Sequence, residues 1–323
     1  TMLKRFAGAV ALVFCVAGPA HAQYPTKPVT MVVPFAAGGP TDTVARSLAA
    51  AMQPHLKQTV VVENIAGAGG TLAAEKVSKA ANDGYTILIH HIGMSTAPAL
   101  YRKLRYNPID DFQPIGEVAD VPMTLIGRGN LAPNNFKELL AYVRQNKDKI
   151  NLGNAGLGAA SHLCGLLLMS ALETNMTTIA YKGTGPAMND LLGGTLDLMC
   201  DQTTNTTSQI KSGKVKAYGV TSAQRVPSLP DLPTLQEQGL KGFEVNVWHG
   251  LYAPKGTPKA AVDKLVEALQ VAVKDPGFKQ RLADLGSEPV PAARATPEGL
   301  AKQLKSEIDK WGPIIKKAGQ YAD

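Results

Sequence analysis

Short apolar runs alternate with amphipathic helical segments along most of this chain, and this alternation constrains the fold more than any other feature. The first run, Val29 to Val33, leads through a glycine loop into an alanine-rich segment from Thr41 to Leu56 with one apolar side. The same order of strand, loop and helix recurs down the chain. Strands that alternate with helices pair largely in parallel. The sequence therefore predicts an α/β fold.

The length of 323 residues suits two domains better than one hydrophobic core. The segment Ser228 to Pro233 contains two prolines and is typical of a stiff linker that returns the chain from one domain to another. We expect a discontinuous first domain of residues 24–123 and 225–323, and a second domain of residues 124–224. Residues 100–121 are rich in prolines and aromatics, and we expect them to be irregular.

The first residues have the order of a secretory signal peptide. Lys4 and Arg5 precede the apolar run Phe6 to Val16, and Ala20-His21-Ala22 is a small-residue cleavage site. The apolar run is too short to span a bilayer. We therefore expect residues 1–22 to be removed and the mature protein to reach the periplasm.

Charge and motifs argue against nucleic acid and against most enzyme classes. The formal net charge is +7, but Lys and Arg are scattered and form no basic stripe with interleaved aromatics. The sequence has neither a His-Glu-x-x-His helix nor a Gly-x-Ser-x-Gly turn. We expect no catalytic residues, no metal and no cofactor.

Cys164 and Cys200 are the cysteines that follow the signal segment. Two interpretations stand for them in an oxidising compartment: a disulfide, or two separate buried thiols. Catalysis by Cys164 with His162 is disfavoured, because side chains two residues apart on a helix point in different directions.

Two glycine loops stand at comparable positions, each between a strand and the start of a helix. The first is Pro34 to Asp42, and the second is Asn151 to His162. Helix starts expose free N–H groups and the positive end of the helix dipole, so both loops are typical of anion sites. We expect the loops to be two jaws that face one ligand, with Asp42 capping the helix and positioning water.

Seven further motifs, taken in order, resemble one family. They are Val-Pro-Phe-Ala-Ala-Gly-Gly-Pro-Thr-Asp, Asp-Gly-Tyr-Thr-Ile-Leu, Asp-Asp-Phe-Gln-Pro-Ile, Tyr-Lys-Gly-Thr-Gly-Pro-Ala, Asp-Leu-Leu-Gly-Gly, Leu-Pro-Asp-Leu-Pro-Thr and Leu-Tyr-Ala-Pro-Lys-Gly-Thr-Pro. The chain after residue 24 resembles the Bug-type solute receptors of tripartite tricarboxylate transporters. The resemblance implies a type II periplasmic binding protein, in which two α/β domains joined by crossing strands close over a ligand cleft.

The resemblance also implies that the two loops hold a ligand carboxylate through backbone amides and ordered water. His90 and His91 stand where many relatives have small polar residues, and only one of them can face the cleft if the strand is regular. For Trp248, burial in the core is the alternative to ligand contact. The predicted ligand-binding residues are Phe35, Ala36, Gly38, Thr41, Asp42, His90, His91, Asn154, Gly158, Ala159, Ala160, Ser161, Asp201, Thr203 and Trp248.

The expected function is capture of a small carboxylate, in particular a dicarboxylate, by a monomeric receptor that passes it to membrane permease subunits. The two histidines and Trp248 make an aromatic ligand, such as a phthalate-like diacid, an alternative to an aliphatic one. A ligand sensor for a membrane signalling receptor shares all these sequence features, and a secreted hydrolase is the enzyme alternative.

Overall fold

The computed structural model describes residues 24–319 and Tyr321, so the predicted signal peptide lies outside the described residues. The strands are β1 (Val29–Val33), β2 (Val60–Asn64), β3 (Thr86–His91), β4 (Phe112–Arg128), β5 (Asn151–Asn154), β6 (Thr177–Ala180), β7 (Leu198–Gln202), β8 (Val215–Val220), β9 (Asn246–Pro254) and β10 (Glu288–Pro289). The α-helices are α1 (Pro40–Leu56), α2 (Thr71–Ser78), α3 (Gly93–Leu100), α4 (Phe136–Asn146), α5 (Ala160–Ala171), α6 (Thr184–Leu192), α7 (Thr203–Lys211), α8 (Lys259–Ala272), α9 (Pro276–Asp284) and α10 (Pro297–Ala318).

The strands form two sheets that share the long strand β4. The first sheet has the order β2-β1-β3-β9-β4, with β1 parallel to β2 and β3. The second has the order β4-β7-β5-β6, with β5 parallel to β6 and β7, and β8 also pairs with β4. Helices connect the parallel strands in both sheets, which confirms the predicted α/β class.

The strand β4 passes from one sheet to the other. It pairs with β9 as far as Pro122 and with β7 from Met123 onward. The chain returns after β8, where the Thr221 amide donates to the Met123 carbonyl (2.9 Å) and the Thr221 carbonyl accepts from the Val245 amide (3.2 Å). We call the first sheet with α1–α3 and α8–α10 lobe 1, and the second sheet with α4–α7 lobe 2. The sequence limits of the two domains stay a prediction.

We expected residues 100–121 to be irregular. This prediction is wrong from Phe112 onward, where β4 begins. The prolines conceal this strand in the sequence, because proline has no N–H to donate to a neighbouring strand. The pairing of β4 with β9 shifts register between Pro114 and Gly116, and again between Glu117 and Ala119. These irregularities let a proline-containing segment remain in the centre of the sheet.

The described residues include no helix that is both long and apolar enough to cross a bilayer. The helices instead pack their apolar sides against the sheets. In β3, for example, Ile87, Leu88 and Ile89 are all fully buried. A strand covered on both faces reads as a continuous apolar run, which is why this strand was evident in the sequence.

Cys164 in α5 and Cys200 in β7 form a disulfide, with their Cα atoms 6.1 Å apart. Of the two interpretations left open by the sequence, the structure contains the cross-link. It ties α5 to the central strand of lobe 2 and closes a loop between residues 36 positions apart.

We expect replacement of both cysteines by alanine to lower the free energy of unfolding by about 3 to 4 kcal/mol, because the cross-link restricts the unfolded chain. Urea unfolding with and without a thiol reductant measures this. The reductant should shift the midpoint of the unaltered protein and leave that of the double variant unchanged. An equal midpoint for the unaltered protein under both conditions would contradict the prediction.

Candidate functional site

Four helices begin around one small cavity between the lobes. The helices α1, α5, α6 and α7 follow the carboxyl ends of β1, β5, β6 and β7. The cavity has a volume of about 10 Å³, roughly the space that one water molecule needs. Its lining residues are Phe35, Pro40, Thr41, His91, Ala155, Ala160, Ser161, Thr184, Asp201 and Gln202.

The position of these helix starts gives the cavity its electrostatic character. Pro40, Ala160 and Thr184 are the first residues of α1, α5 and α6, and Gln202 is the N-cap residue of α7. The free N–H groups and positive dipole ends of four helices therefore point toward one place. The lining residues include no lysine or arginine. The cavity thus favours an anion through neutral donors and partial charges.

Asp42 shapes the first loop and is absent from the lining of the cavity. Its Oδ2 accepts hydrogen bonds from the Gly38 amide (3.0 Å) and Arg46 Nε (2.9 Å), and its Oδ1 accepts from Asn64 Nδ2 (2.9 Å). Gly38 has φ +80°, which favours glycine. Burial opposes ionisation, but the bonds from Arg46, Gly38 and Asn64 outweigh it and hold the pKa of Asp42 below its ordinary value.

The second loop is held by its own side chains. Ser161 Oγ accepts from the Ala155 amide at 2.9 Å, and Asn154 Oδ1 accepts from the Gly156 amide at 2.9 Å. The Ser161 hydroxyl also lines the cavity, so its proton can be donated there. Asn154 is not among the lining residues and sets the course of the loop.

Gly158 and Ala159 also act within the loop. The Gly158 amide donates to His162 Nδ1 at 3.4 Å. Burial lowers the pKa of His162 to about 4, so the neutral ring can accept this bond. Ala159 packs with Phe35 and Ala155 in a small apolar cluster beside the cavity.

The structure separates the roles of the two adjacent histidines. His91 lines the cavity, and its ring stacks on Phe35 with the ring centres 4.7 Å apart. Its Nδ1 accepts from the Gly93 amide at 3.0 Å, which leaves the ring proton on Nε2. Burial, followed by the neighbouring His90 and His249, lowers the pKa of His91 well below its ordinary value. His91 is therefore a neutral donor.

His90 and Trp248 are not brought to the cavity. His90 Nδ1 accepts from the His91 amide at 2.9 Å, and its ring lies against Gly70. Trp248 lies in a separate groove of about 1050 Å³, where its Nε1 donates to Glu307 Oε2 at 3.3 Å. Its indole is nearly fully buried, in agreement with the core alternative.

At the end of β7, neighbouring residues face different surroundings. Asp201 lines the cavity, whereas Thr203 Oγ1 donates to the Gly286 carbonyl of lobe 1 at 3.0 Å. The helix α7 begins at Thr203, directly after β7, and turns this side chain away from the cavity. Thr203 therefore contacts the opposite lobe without reaching the cavity.

Besides the bond from Thr203 to Gly286, further hydrogen bonds between described residues join the lobes beside the cavity. The Ala36 amide donates to the Lys182 carbonyl (2.9 Å), Tyr101 Oη donates to the Leu157 carbonyl (2.9 Å) and Thr96 Oγ1 donates to the Gly158 carbonyl (2.8 Å). Ala36 thus belongs to the contact between the lobes and is not among the lining residues. The backbones come close here: a Cβ on Gly185 would lie 3.0 Å from the Gly39 nitrogen.

Sequence reasoning missed several residues at or beside the cavity, namely Pro40, Ala155, Thr184, Gln202 and His249. His249 Nε2 lies 3.3 Å from Thr41 Oγ1, and burial lowers the pKa of His249 to about 3. The segment Lys182 to Pro186 before α6 has the glycine-rich pattern of a helix start, but the sequence alone did not place it beside the other two loops. Among the described residues, no group of three or more His, Cys, Asp or Glu side chains could hold a metal ion.

Two α/β lobes joined by crossing strands, with a cavity between them at the carboxyl ends of parallel strands, define a periplasmic binding protein of type II. Residues 44–320 match the tripartite tricarboxylate transporter family receptor, TctC, and the chain belongs to this family. This confirms the resemblance to Bug-type receptors.

Individual relatives agree with this assignment. The UPF0065 protein in the TAR-I ttuE-ttuC' intergenic region of Agrobacterium vitis is 51% identical over 301 residues, 93% of this chain and 87% of that protein. The periplasmic binding protein BugD superimposes with a TM-score of 0.91 at 60% identity, covering 93% of this chain and 100% of BugD. MatC from Rhodopseudomonas palustris with bound malate has a TM-score of 0.87 at 42% identity, covering 90% and 100% of the two chains.

We expect Asp42→Asn to lower the free energy of unfolding by about 1 to 3 kcal/mol at neutral pH, because a charge-assisted acceptor of three hydrogen bonds is lost. The folded-state pKa of Asp42 lies below its ordinary value of 3.8. Its stabilisation is therefore complete above the unfolded-state pKa and lost as the pH falls through the folded-state pKa. The difference between the two proteins should shrink below about pH 4.

Urea unfolding at neutral and acid pH measures this difference. Asp263→Asn is the matched control, because Asp263 forms an exposed pair with Lys259 on α8. The control should change stability by less than about 0.5 kcal/mol. If Asp42→Asn unfolds like the control at neutral pH, Asp42 does not hold the loop.

Proposed function

We propose that this chain is a periplasmic solute-binding protein that captures a small dicarboxylate and delivers it to the membrane permease subunits of a tripartite tricarboxylate transporter. The observation that carries the proposal is the convergence of four helix starts on one cavity without a lysine or arginine. The family membership supports the transporter, and the malate bound to MatC supports the ligand class. We propose that the receptor acts as a monomer.

One carboxylate of the ligand would be held between the lobes. Lobe 1 offers His91 Nε2–H, the Thr41 hydroxyl and the first turn of α1. Lobe 2 offers the Ser161 hydroxyl and the first turn of α5. Each such bond to a charged group contributes roughly 1.5 to 3 kcal/mol when water is excluded. Gly38, Asp42, Asn154 and Gly158 would act by shaping the loops.

Ligand entry requires the lobes to separate. A cavity of about 10 Å³ admits no dicarboxylate. The crossing strand β4 and the return segment beside Thr221 are the connections about which the lobes can rotate. Closure would then form the bonds of Ala36, Tyr101 and Thr96 to lobe 2. This is hinge closure, in which the ligand favours the closed arrangement by binding both lobes.

The aliphatic and aromatic alternatives differ in what the cavity wall must provide. Trp248 lies in another groove and offers no stacking surface to the cavity. Phe35 and His91 remain as an aromatic wall. We therefore propose an aliphatic dicarboxylate, and an aromatic diacid serves as the contrasting ligand in the test.

The test is a thermal-shift screen of the mature protein with aliphatic, hydroxylated and aromatic mono-, di- and tricarboxylates. A ligand that binds the folded protein raises its melting temperature. We expect the largest shift with a short dicarboxylate. The absence of a shift with every carboxylate would overturn the proposed function, and turnover of an ester or amide would point to a hydrolase.

We expect Ser161→Ala to weaken dicarboxylate binding by about 10 to 100-fold, which corresponds to the loss of one bond to a charged group. Titration calorimetry measures the dissociation constant. Ser212→Ala, at the exposed end of α7, is the control and should bind as the unaltered protein does. Unchanged affinity in Ser161→Ala would show that the second loop does not hold the carboxylate.

We expect Gly185→Val to weaken binding by at least about tenfold by obstructing closure. A Cβ at this position meets the Gly39 nitrogen at 3.0 Å and the Gly38 carbonyl carbon at 3.1 Å across the lobe boundary. Gly312→Val is the control, because a Cβ there has no neighbour within 4 Å. Calorimetry and small-angle scattering with ligand should show weaker binding and a larger radius of gyration for Gly185→Val alone. Full compaction of that variant would contradict a closure role for this contact.

A further inference from the structure

The disulfide between Cys164 and Cys200 joins two segments of lobe 2 that line the cavity. Cys164 follows Ser161 by about one helical turn, and Cys200 directly precedes Asp201. Ser161 and Asp201 both line the cavity. Both cysteines are 1% exposed, so the cross-link lies inside the lobe. The bond therefore fixes the start of α5 against the end of β7.

The start of α5 has few directional contacts of its own. Its N-cap residue, Ala159, provides no side-chain hydrogen bond to the helix. The loop before it contains Gly156 and Gly158, whose φ angles of +100° and +82° lie in the region that favours glycine. Ser161 Oγ accepts from the Ala155 amide, but this bond lies within the loop and its helix start. These contacts shape the loop without tying it to β7.

Between α5 and β7 the disulfide is the connection that specifies position. None of the hydrogen bonds found among the described residues joins these two elements. The helix instead buries apolar side chains such as Leu163 and Leu168 in the core. Apolar burial depends on area and not on direction. It therefore resists separation of the helix from the strand better than it resists a small shift of one along the other.

A small shift of the α5 start would change what the cavity offers to a ligand. A hydrogen bond weakens steeply when its distance or angle leaves the favoured range, and a binding site needs its donors held to within about 0.5 Å. The Ser161 hydroxyl and the free amides in the first turn of α5 are the donors that lobe 2 provides in the proposed function. All of them lie within about one helical turn of the cross-linked Cys164.

We infer that the disulfide between Cys164 and Cys200 is a positioning element of the ligand site, which holds the start of α5 where its donors meet an anion in the cavity. Opening the disulfide then lowers the affinity for a dicarboxylate even in protein that remains folded. This inference rests on the proposed function, because it assumes that the cavity binds a dicarboxylate. A cross-link that only stabilises lobe 2 would leave the affinity of the folded protein unchanged.

The test is titration calorimetry with succinate and malate as probes, at a temperature where circular dichroism shows every form to be folded. Dithiothreitol reduces the disulfide to two thiols and is itself oxidised to its cyclic disulfide, and desalting without oxygen removes it. We expect the reduced protein and the variant Cys164→Ala/Cys200→Ala to bind about 5 to 30-fold more weakly than the oxidised protein. Leu139→Ala is the control, because it leaves a cavity under α4 and destabilises the same lobe away from the ligand site. It should bind as the oxidised protein does.

Equal affinity in the oxidised and reduced forms, or an equal loss of affinity in Leu139→Ala, would overturn the positioning role and leave the proposed function standing. If the double variant fails to fold, the reduced protein, which keeps both sulfur atoms, decides alone.

Hydrogen exchange of the ligand-free protein tests the position of the helix start without any ligand. We expect peptides that cover residues 155–168 to exchange at least about threefold faster in the reduced protein than in the oxidised protein or in Leu139→Ala. If no dicarboxylate binds the oxidised protein, the proposed function fails and this comparison decides whether the disulfide holds the start of α5. Equal exchange in all three forms would then overturn the inference as well.

Discussion

Backbone N–H groups in the first turn of a helix have no partner inside that helix, and they must find one outside. In this protein four helices start beside the same cavity. A molecule bound in the cavity can therefore accept hydrogen bonds from the free N–H groups of all four helices. The topology makes this possible, because parallel strands present their following helices at one edge of a sheet. Two such edges, one in each lobe, face each other across the cavity.

The side chains of the two loops fix the shape of the loops before any of them contacts a ligand. A loop must bring a helix start close to a ligand without collapsing onto it. In lobe 1 the Asp42 carboxylate holds the Gly38 amide, and in lobe 2 the Ser161 hydroxyl and the Asn154 side chain hold loop amides. Because these amides are bonded inside the loops, the donors left for a ligand are the helix starts and a few hydroxyl and ring protons. Polar residues of the loops therefore preorganise the site, which lowers the cost of ordering it on binding.

Much of this could be predicted from the sequence, because strand runs, helix starts and glycine loops are local patterns. Phe35, Thr41, Ala160 and Ser161 lie at the cavity as their positions in the two loops indicated. What depended on strand order and register could not be predicted. Thr184 and Gln202 reach the cavity only because β6 and β7 flank β5.

The direction in which a side chain points from a strand or a helix start could not be predicted from the sequence either. His91 faces the cavity and His90 does not, and only the pairing of β3 with its neighbours decides between them. Trp248 and His249 are adjacent on β9, yet His249 reaches Thr41 across 208 residues of sequence while Trp248 turns to Glu307. The composition of the segment predicted aromatic and imidazole rings in a strand. The composition did not indicate which of these rings would point toward the boundary between the lobes.

The absence of a lysine or arginine from the cavity lining has a consequence for selectivity. A fixed cation would attract any anion at long range and with little regard for shape, whereas dipoles and neutral donors act over short distances and only in the right direction. The contacts between the lobes are made by the Ala36 amide, by the Tyr101 and Thr96 hydroxyls and by closely approaching glycines, all of which lie outside the cavity lining. In the proposed mechanism, closure and ligand choice therefore depend on different atoms. On that proposal, the side chains that face the cavity from β3 and β7 would select the ligand, while the loops and the crossing strand would serve closure.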